Sequence, residues 1–331
     1  MTAPSYSITL EEHTSFPSLG SEGPLYDSVW EALPDTKLAV ADHSAGRIAD
    51  MDSGHVSYQI ISHLPGLGSN NPDGCRKANN EMAEAVKKNP TRLGGFAALP
   101  MAYPDKAAAE LERTVKELGF LGALIDSHLE DGTHYDAERF WPVFETAERL
   151  DVPIYIHPAP YPDAFVKQRY SGNYDAGVAL GLSTTAWGWH EDVGLHILKL
   201  FSAGLFTRFP NLKIIIGHMG EMIPMMIDRI QKFRLLAPKI QQSSFGDVWD
   251  RNIWVTSSGI FSVGTLEMLL KVTKKDRVMY SVDTPFSRNI EGWNYLQELA
   301  EKSSLSKEEL DDFAYGNAKR LLKLDVALRK F

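Results

Sequence analysis

The sequence predicts an α/β fold, a single (β/α)8 TIM-type barrel over residues 1–331, with long loops at the C-terminal face of the strands and a helical C-terminus. Two observations support this fold. Eight short apolar runs alternate with helical patterns, which is typical of βαβ units and a parallel sheet. Histidines and carboxylates directly follow several of these runs, and ligands bind at that edge of parallel α/β sheets.

The predicted strands are short and rich in branched apolar residues, as buried parallel strands are. They cover residues 6–10, 56–62, 93–99, 122–125, 153–156, 213–216, 253–256 and 277–281. Helices are predicted over 35–50, 73–88, 104–118, 136–150, 190–206, 222–233 and 292–330, with a break at 316–317. Long loops rich in glycine and proline are predicted over 14–33, 63–72 and 159–189.

A doubly wound open sheet is the alternative fold, and it would place a glycine-rich phosphate loop after the first strand. This chain has Glu-Glu-His there, at residues 11–13, so the barrel is preferred. Neither an internal repeat nor a linker is visible, so we expect one domain.

Composition narrows the classes of protein. The net charge of −9 argues against nucleic acid as a partner, because phosphate binding needs a basic surface. Cys75 is the only cysteine, so an intrachain disulfide cannot form and a reducing compartment is expected. Apolar runs stay well below the roughly 18–20 residues of a membrane span. The first residues lack the pattern of a secretory signal, so a cytoplasmic location and no membrane contact are predicted.

Five side chains at strand ends are candidates for one site. Glu11 and His13 are two residues apart in an extended segment, so they point to the same side. His157, His218 and Asp283 follow the fifth, sixth and eighth strands. In a barrel these ends meet around one mouth. Carboxylate and imidazole ligands suit a divalent ion, and the absence of thiolate argues against a structural zinc site.

Each of these residues also fits an ordinary structural role. A histidine at a strand end can cap a helix, and an aspartate before Thr-Pro can form a turn. The shared placement at several strand ends favours a site. Other histidines without such placement are interpreted as structural or surface residues, and these are His43, His55, His128, His134, His190 and His196.

Four motifs lie at the ends of the strands. They are Leu-Glu-Glu-His at 10–13, Tyr-Ile-His-Pro at 155–158, Gly-Leu-Phe-Thr-Arg-Phe-Pro-Asn-Leu with Gly-His-Met-Gly-Glu at 204–221, and Ser-Val-Asp-Thr-Pro-Phe at 281–286. With these motifs the chain resembles the metal-dependent amidohydrolase superfamily. In particular it resembles the branch of non-oxidative decarboxylases that act on γ-resorcylate, 2,3-dihydroxybenzoate and aminocarboxymuconate semialdehyde.

The resemblance implies roles for the site residues. It implies metal ligands at Glu11, His13, His157 and Asp283. It also implies that His218 and Glu221 form a hydrogen-bonded pair beside the substrate, and that Arg229 helps to hold the site. The chain departs from the hydrolases of the superfamily, because it has Glu-x-His in place of His-x-His after the first strand. The fourth strand offers no bridging lysine, so one metal ion is expected, zinc first, with Mg²⁺ or Mn²⁺ as alternatives.

The implied reaction needs a proton at the ring carbon that bears the carboxylate, because loss of CO₂ would otherwise leave an aryl carbanion. Asp283 is the first candidate for the acid, with His218 or a metal-bound water as alternatives. Glu221 would orient His218. Aromatic residues near the motifs would bind the ring, and these are Phe16, Tyr26, Trp189 and Phe286.

The substrate predicted by the resemblance is a small aromatic carboxylic acid, such as 2,3- or 2,6-dihydroxybenzoate, and reversible ortho-carboxylation of phenols is expected with it. Two other functions stay open. One is metal-dependent hydrolysis of a lactone or an amide, and the other is a non-catalytic barrel that binds an aromatic acid. A homodimer or homotetramer is expected from the family.

Overall fold

The computed structural model of the protein describes residues 1–232 and 243–331. Within them lie eight short strands that pair in parallel. The strands are β1 Ile8–Thr14, β2 Tyr58–His63, β3 Leu93–Gly95, β4 Ala123–Asp126, β5 Ile154–His157, β6 Ile214–Ile216, β7 Ile253–Thr256 and β8 Val278–Met279. The predicted parallel α/β class is confirmed.

The strands form two sheets, one of order β1-β2-β3 and one of order β4-β5-β6-β7-β8. Isolated parallel bridges connect the two sheets at both ends. Glu12 pairs with Thr284 beyond β8, and Ala97 pairs with Ala123 at the start of β4. The amide N–H of His13 donates to the carbonyl of Thr284 at 2.7 Å, which adds a contact at the first of these junctions.

Helices connect successive strands and cover most of the predicted helical regions. They are α1 Pro24–Ala32, α2 Pro34–Ala41, α3 Ala45–Ser53, α4 Pro72–Lys88, α5 Pro104–Leu118, α6 Trp141–Leu150, α7 Asp163–Arg169, α8 Ala176–Ser183, α9 Gly188–Ser202, α10 Leu205–Arg208, α11 Ile227–Lys232, α12 Phe245–Asn252, α13 Val263–Val272, α14 Asn289–Lys302, α15 Lys307–Asp311 and α16 Asn317–Leu321. Among these described helices, none has both the length and the apolar character needed to cross a bilayer.

Several predicted boundaries were wrong. The predicted loop at 14–33 contains α1, and the predicted loop at 159–189 contains α7 and α8. Proline begins α1, where its fixed φ favours a helix start, so the same residue that indicated a loop opens a helix. The C-terminal helix ends at Leu321 and does not extend to 330. In the predicted helix over 222–233, a 3-10 turn at Ile223–Met226 leads into α11 at Ile227, and residue 233 lies outside the described residues.

Alternate side chains along the strands pack in two different apolar clusters. On β5 and β6, Ile154, Ile156, Ile214 and Ile216 pack in the larger apolar cluster with residues of the helices. The neighbours Tyr155 and Ile215 lie in a second cluster, which β1, β2 and β4 also line and which α16 joins. Each fully buried isoleucine contributes about 2 kcal/mol to the free energy of unfolding. The polar residues at the strand ends therefore follow strands that are packed on both faces by buried apolar side chains.

His63 at the end of β2 is buried and anchors the loop after β1. Its Nε2 accepts the N–H of Phe16 at 3.2 Å, and its Nδ1 donates to the carbonyl of Leu64 at 3.2 Å. Acceptance at Nε2 requires the neutral ring, with its one proton on Nδ1. Burial lowers the pKa of His63 to about 4, from an ordinary value of 6.5.

We expect this buried histidine to make stability depend on pH. Above pH 6.5 the ring is neutral in both states, and between pH 6.5 and about 4 only the unfolded chain takes up the proton. The free energy of unfolding therefore falls by about 3 kcal/mol from this group across that window, at about 1.4 kcal/mol per pKa unit. Urea unfolding at a series of pH values measures the loss. His63→Gln should flatten that part of the profile, and an unchanged slope in the variant would contradict the assignment.

Candidate metal centre

A bulge in β1 presents the first two candidate ligands. The β1–β2 register shifts between Thr9 and Glu12, so β1 carries one extra residue there. The amides of Leu10 and Glu11 both donate to the hydroxyl of Ser281, at 3.0 and 2.8 Å. Ser281 in turn donates to Glu12 at 2.9 Å. Bulges beside active sites re-aim side chains, and this one is held by a residue from the opposite end of the chain.

Glu11, His13, His157 and Asp283 converge at one point. One potential ligand atom from each lies within 4.8 Å of all the others. His157 Nε2 is 3.0 Å from Glu11 Oε1, and His13 Nε2 is 3.2 Å from Asp283 Oδ1. Glu11 and His13 are fully buried and His157 is nearly so, while Asp283 is partly open to the cavity described below.

The donor set fits a divalent metal ion. Four buried polar atoms in this group have no hydrogen-bond partner within the described residues, and these are Glu11 Oε1, His13 Nδ1, His13 Nε2 and Asp283 Oδ1. His157 Nδ1 donates to the carbonyl of Pro158 at 2.7 Å, so its Nε2 keeps a lone pair directed at the cluster. Buried polar atoms are costly without partners, and two imidazoles with two carboxylates satisfy one ion.

Tyr155 and Gly217 support Glu11 from behind. The Tyr155 hydroxyl donates to Glu11 Oε2 and lies 2.7 Å from Thr256 Oγ1. Gly217 leaves the space that this carboxylate needs, since a Cβ there would stand 2.6 Å from Glu11 Oε2 and 3.1 Å from the Tyr155 hydroxyl. Groups of this kind orient a ligand and tune its affinity for the ion.

We expect Gly217→Ala to weaken metal binding at least about tenfold, because the added methyl displaces the Glu11 carboxylate. Overpacking should also lower the free energy of unfolding by about 2 kcal/mol. Competition with a chelating dye measures the affinity, and urea unfolding measures the stability. Gly264→Ala is the matched control, since a Cβ at that helical position meets no atom within 4 Å. Equal metal affinity in both variants would show that Glu11 has room to move.

The segment after β6 makes a left-handed turn. His218, Met219, Gly220, Glu221 and Met222 have φ of 47°, 57°, 95°, 52° and 64°. Left-handed backbone costs about 1–2 kcal/mol for each residue other than glycine, so the neighbouring structure must hold it. The Met219 amide donates to the carbonyl of Thr256 at 2.9 Å, and Met219 is buried. The turn places His218 and Glu221 side by side.

His218 and Glu221 form the expected pair, and a third residue joins them. His218 Nδ1 lies 2.8 Å from Glu221 Oε1, and His190 Nδ1 lies 2.8 Å from Glu221 Oε2. His218 Nε2 points toward the ligand cluster, 3.6 Å from Glu11 Oε1 and 3.9 Å from Asp283 Oδ2.

Charges in the cluster shift the protonation of its members. Burial raises the pKa of Glu11, but the charges of His218, His157 and His13 outweigh burial and hold the pKa below its usual value. Burial also opposes ionisation of Asp283, yet the nearby imidazoles of His13 and His218 lower its pKa. Burial depresses the pKa of His218, whereas the charges of Glu221 and Glu11 raise it well above 6.5. Both carboxylates are therefore ionised.

A cavity of about 550 Å³ opens directly on the cluster. His13, His157, His218 and Asp283 form one wall. The opposite walls are largely apolar and include Tyr26, Val29, Leu33, Leu180, Trp189, Ile260 and Phe286. Phe286 lies 5.7 Å from the His13 ring, centroid to centroid.

Two predicted substrate contacts lie elsewhere. Phe16 is buried in the core, where its ring stacks on His43 at 4.2 Å, and it does not line this cavity. Arg229 lies on α11 with an exposed side chain and does not line it either.

A second cavity, of about 370 Å³, adjoins the first. Tyr26, Leu180 and Thr184 line both and form the wall between them. The hydroxyl of Tyr26 donates to the carbonyl of Pro65 at 2.6 Å, which fixes the ring in this wall.

The chain belongs to the amidohydrolase family, whose model matches residues 70–324. It is 42% identical over 324 residues to the decarboxylase orsB of Emericella nidulans, covering 96% of this chain and 97% of the relative. It is 36% identical over 337 residues to a gamma-resorcylate decarboxylase of Polaromonas sp., covering 96% and 98% of the two chains. A crystal structure of a dihydroxybenzoic acid decarboxylase from Polaromonas sp. JS666, with bound manganese and the inhibitor 2-nitroresorcinol, superposes with a TM-score of 0.85. That chain is 32% identical, and the match covers 99% of this chain and 98% of the other.

Sequence reasoning did not identify three residues of the site: Tyr155, Gly217 and His190. Tyr155 carried a usable signal, since it precedes His157 by two residues on one strand and so shares its face. Gly217 was seen only as the end of a strand. His190 was interpreted as structural or surface, because nothing in its local sequence indicates that α9 carries it to Glu221.

Proposed function

We propose that this protein is a metal-dependent, non-oxidative decarboxylase of a hydroxybenzoic acid such as 2,6- or 2,3-dihydroxybenzoate, and that it also runs in reverse as an ortho-carboxylase of phenols. One observation carries the proposal. Three residues of the four-ligand cluster and the histidine of the His-Glu pair line one cavity, together with largely apolar and aromatic side chains. The names of the relatives, with manganese and a nitroresorcinol inhibitor bound in one of them, support the same chemistry.

Glu11, His13, His157 and Asp283 would hold the ion. When bound, a divalent ion neutralises charge on the substrate's carboxylate and its ortho oxygen and orients the ring. We propose Zn²⁺ for this chain, with Mn²⁺ as the ion of a relative and Mg²⁺ as a further alternative. Two imidazole and two carboxylate donors accommodate each of these ions.

The cavity walls would bind the ring. Phe286, Trp189 and Tyr26 all line the cavity and would present apolar area to the ring. The buried indole N–H of Trp189 has no partner within the described residues, so it is available to a ring hydroxyl. A few donors set in an apolar wall fix the orientation of a small aromatic acid.

His218 and Asp283 would move the proton. We propose that Asp283 delivers it to the carboxyl-bearing ring carbon and receives it from His218, whose Nε2 is 3.9 Å from Asp283 Oδ2. The ring carbon gains a C–H bond, and then its bond to the carboxyl carbon breaks. The electron pair of that bond returns to the ring and restores aromaticity, while CO₂ departs. Glu221 holds His218 Nδ1 and so keeps Nε2 directed at the site.

We also propose that the eight strands close into a barrel. The isolated bridges between Glu12 and Thr284 and between Ala97 and Ala123 support closure, because they connect the two sheets at both junctions. A closed arrangement brings the ends of β1, β5, β6 and β8 to one mouth.

Exposed apolar side chains support the expected homodimer or homotetramer. Trp187, Leu195, Met225 and Met226 are 49%, 47%, 77% and 45% exposed. Aromatic residues and methionine are enriched at protein interfaces relative to the rest of the surface. Light scattering coupled to size exclusion measures the oligomeric state, and a monomer at micromolar concentration would contradict this part of the proposal.

The decisive experiment is an assay of CO₂ release from 2,6- and 2,3-dihydroxybenzoate by the metal-loaded protein, run beside simple lactones and anilides. In D₂O, the phenolic product should carry one deuterium at the carbon that bore the carboxylate. Ring opening of lactones without CO₂ release would establish the hydrolase instead. Tight binding of the acids without any turnover would leave only the binding barrel.

A further inference from the structure

Glu221 is shared by two imidazoles, and only one of them faces the ligand cluster. The Nδ1 of His218 lies 2.8 Å from one carboxylate oxygen of Glu221, and the Nδ1 of His190 lies 2.8 Å from the other. The Glu221 side chain has no exposed surface. A buried carboxylate needs partners at both oxygens, and here the second partner comes from a different element of the fold.

His190 has no donor left for a ligand, although its ring lines the cavity. Its Nε2 lies 3.0 Å from the carbonyl of Thr185, which can only accept a hydrogen bond. Its Nδ1 faces the Glu221 carboxylate, whose pKa is lowered; burial opposes ionisation, but the charge of His218 and hydrogen bonds from both histidines outweigh it. Both ring nitrogens are therefore committed to protein oxygens, which indicates a role in positioning.

Helix α9 contacts Glu221 at a second point besides the hydrogen bond of His190. Gly194 follows His190 by one helical turn and lies on the same face. A Cβ at Gly194 would stand 2.7 Å from the carbonyl oxygen of Glu221, so α9 contacts the backbone of the left-handed turn there. The imidazole rings of His190 and His218 are 4.6 Å apart, centroid to centroid. One face of α9 thus fixes both the backbone and the carboxylate of Glu221.

We propose that His190 is a positioning residue for proton transfer: it holds the Glu221 carboxylate in one orientation, and through it keeps His218 Nε2 directed at Asp283 and the substrate. The inference rests on the proposed function for its catalytic part. Without His190, the freed oxygen of Glu221 would rotate toward other donors and the His218 ring would follow. Small misplacements of a reacting group are costly in rate and leave substrate binding largely intact.

Two isosteric variants separate the two bonds of His190. His190→Asn keeps an N–H donor near the position of Nδ1, toward Glu221. His190→Gln keeps one near Nε2, toward the Thr185 carbonyl. With the metal-loaded enzyme, we expect H190Q to lower kcat at least about tenfold with KM within about twofold. H190N should retain kcat within about threefold of the parent, since it preserves the bond to the carboxylate.

A second measurement does not depend on turnover. In ¹⁵N-histidine-labelled protein without metal, the Nδ1–H proton of His218 should resonate far downfield in the parent and in H190N, and should move or vanish in H190Q. Loss of fold in both variants alike, by circular dichroism, would overturn the proposal and make His190 a structural residue. Equal kcat in H190Q and the parent would also overturn it, as would a raised KM with unchanged kcat. If the parent enzyme releases no CO₂, the proposed function fails while the resonance still tests the His190–Glu221–His218 linkage.

Discussion

His218→Asn is expected to lower kcat for decarboxylation about a thousandfold while leaving KM and metal content nearly unchanged. Asparagine keeps a donor near Nδ1 for Glu221 and removes the Nε2 that faces Asp283 at 3.9 Å. General acids contribute about 10²–10⁴ to rates, and this change removes the proposed source of the proton. Steady-state kinetics with the metal-loaded enzyme, followed by CO₂ release, measure the loss.

His55→Asn is the matched control for that change. His218 and His55 both have left-handed backbone, with φ of 47° and 55°, and asparagine tolerates this region well. The ring of His55 stacks on the rings of Trp293 and Phe331, with centroids 4.0 and 5.0 Å apart, and neither of these residues belongs to the ligand cluster. H55N should therefore keep the parent kcat. Equal losses in the two variants would mean that the effect at His218 comes from the backbone and not from the imidazole.

Glu11→Gln is expected to lower metal affinity at least about a hundredfold and to abolish decarboxylation at ordinary metal concentrations. The substitution keeps the shape of the side chain and removes its charge from a fully buried position among three imidazoles. Changes to groups that only orient a metal ligand already cost about 10–100-fold, so loss of a charged ligand costs more. Metal titrations followed by thermal melting measure the affinity, because an ion that binds only the folded state raises Tm.

Glu12→Gln, at the neighbouring carboxylate, is expected to reduce stability and not metal affinity. Glu12 points away from the cluster and accepts the amides of Val282 at 3.0 Å and Thr284 at 2.9 Å. An amide side chain leaves one of these buried donors unpaired, at a cost of about 2 kcal/mol in the free energy of unfolding. We expect E12Q to be less stable yet to keep its rise in Tm with metal. Reversed outcomes for the two variants would exchange the roles assigned to the two faces of β1.

The strands and the set of metal ligands could be predicted from the sequence, because both depend on local sequence patterns. Runs such as residues 214–216 and 253–255 are apolar throughout, because both faces of these strands are buried, and this marks them in the sequence. Residues at the ends of such runs must gather at one edge when the strands are parallel. The convergence of Glu11, His157 and Asp283 could therefore be predicted without knowing any side-chain contact.

The parts that could not be predicted depend on contacts between distant segments. The bulge at Leu10–Glu11 has no local signature, because the hydroxyl that satisfies its amides belongs to Ser281. The left-handed turn holds four residues other than glycine at positive φ, which the sequence alone disfavours and which a bond from Met219 to Thr256 helps to hold. Met222 was therefore predicted as the first residue of a helix, although its backbone is left-handed.

Tyr26, Leu180 and Thr184 line both cavities, and this shared boundary bears on which substrates a variant enzyme could accept. The two chambers, of about 550 and 370 Å³, share these three lining residues, and Leu180 lies on the short helix α8. Trimming Leu180 to alanine is expected to enlarge both chambers, because this residue lines both, without altering any residue that touches the ion or carries the proton. Larger acids with an extended ring substituent could then enter, so laboratory evolution toward bulkier phenolic acids has a natural starting point in this residue.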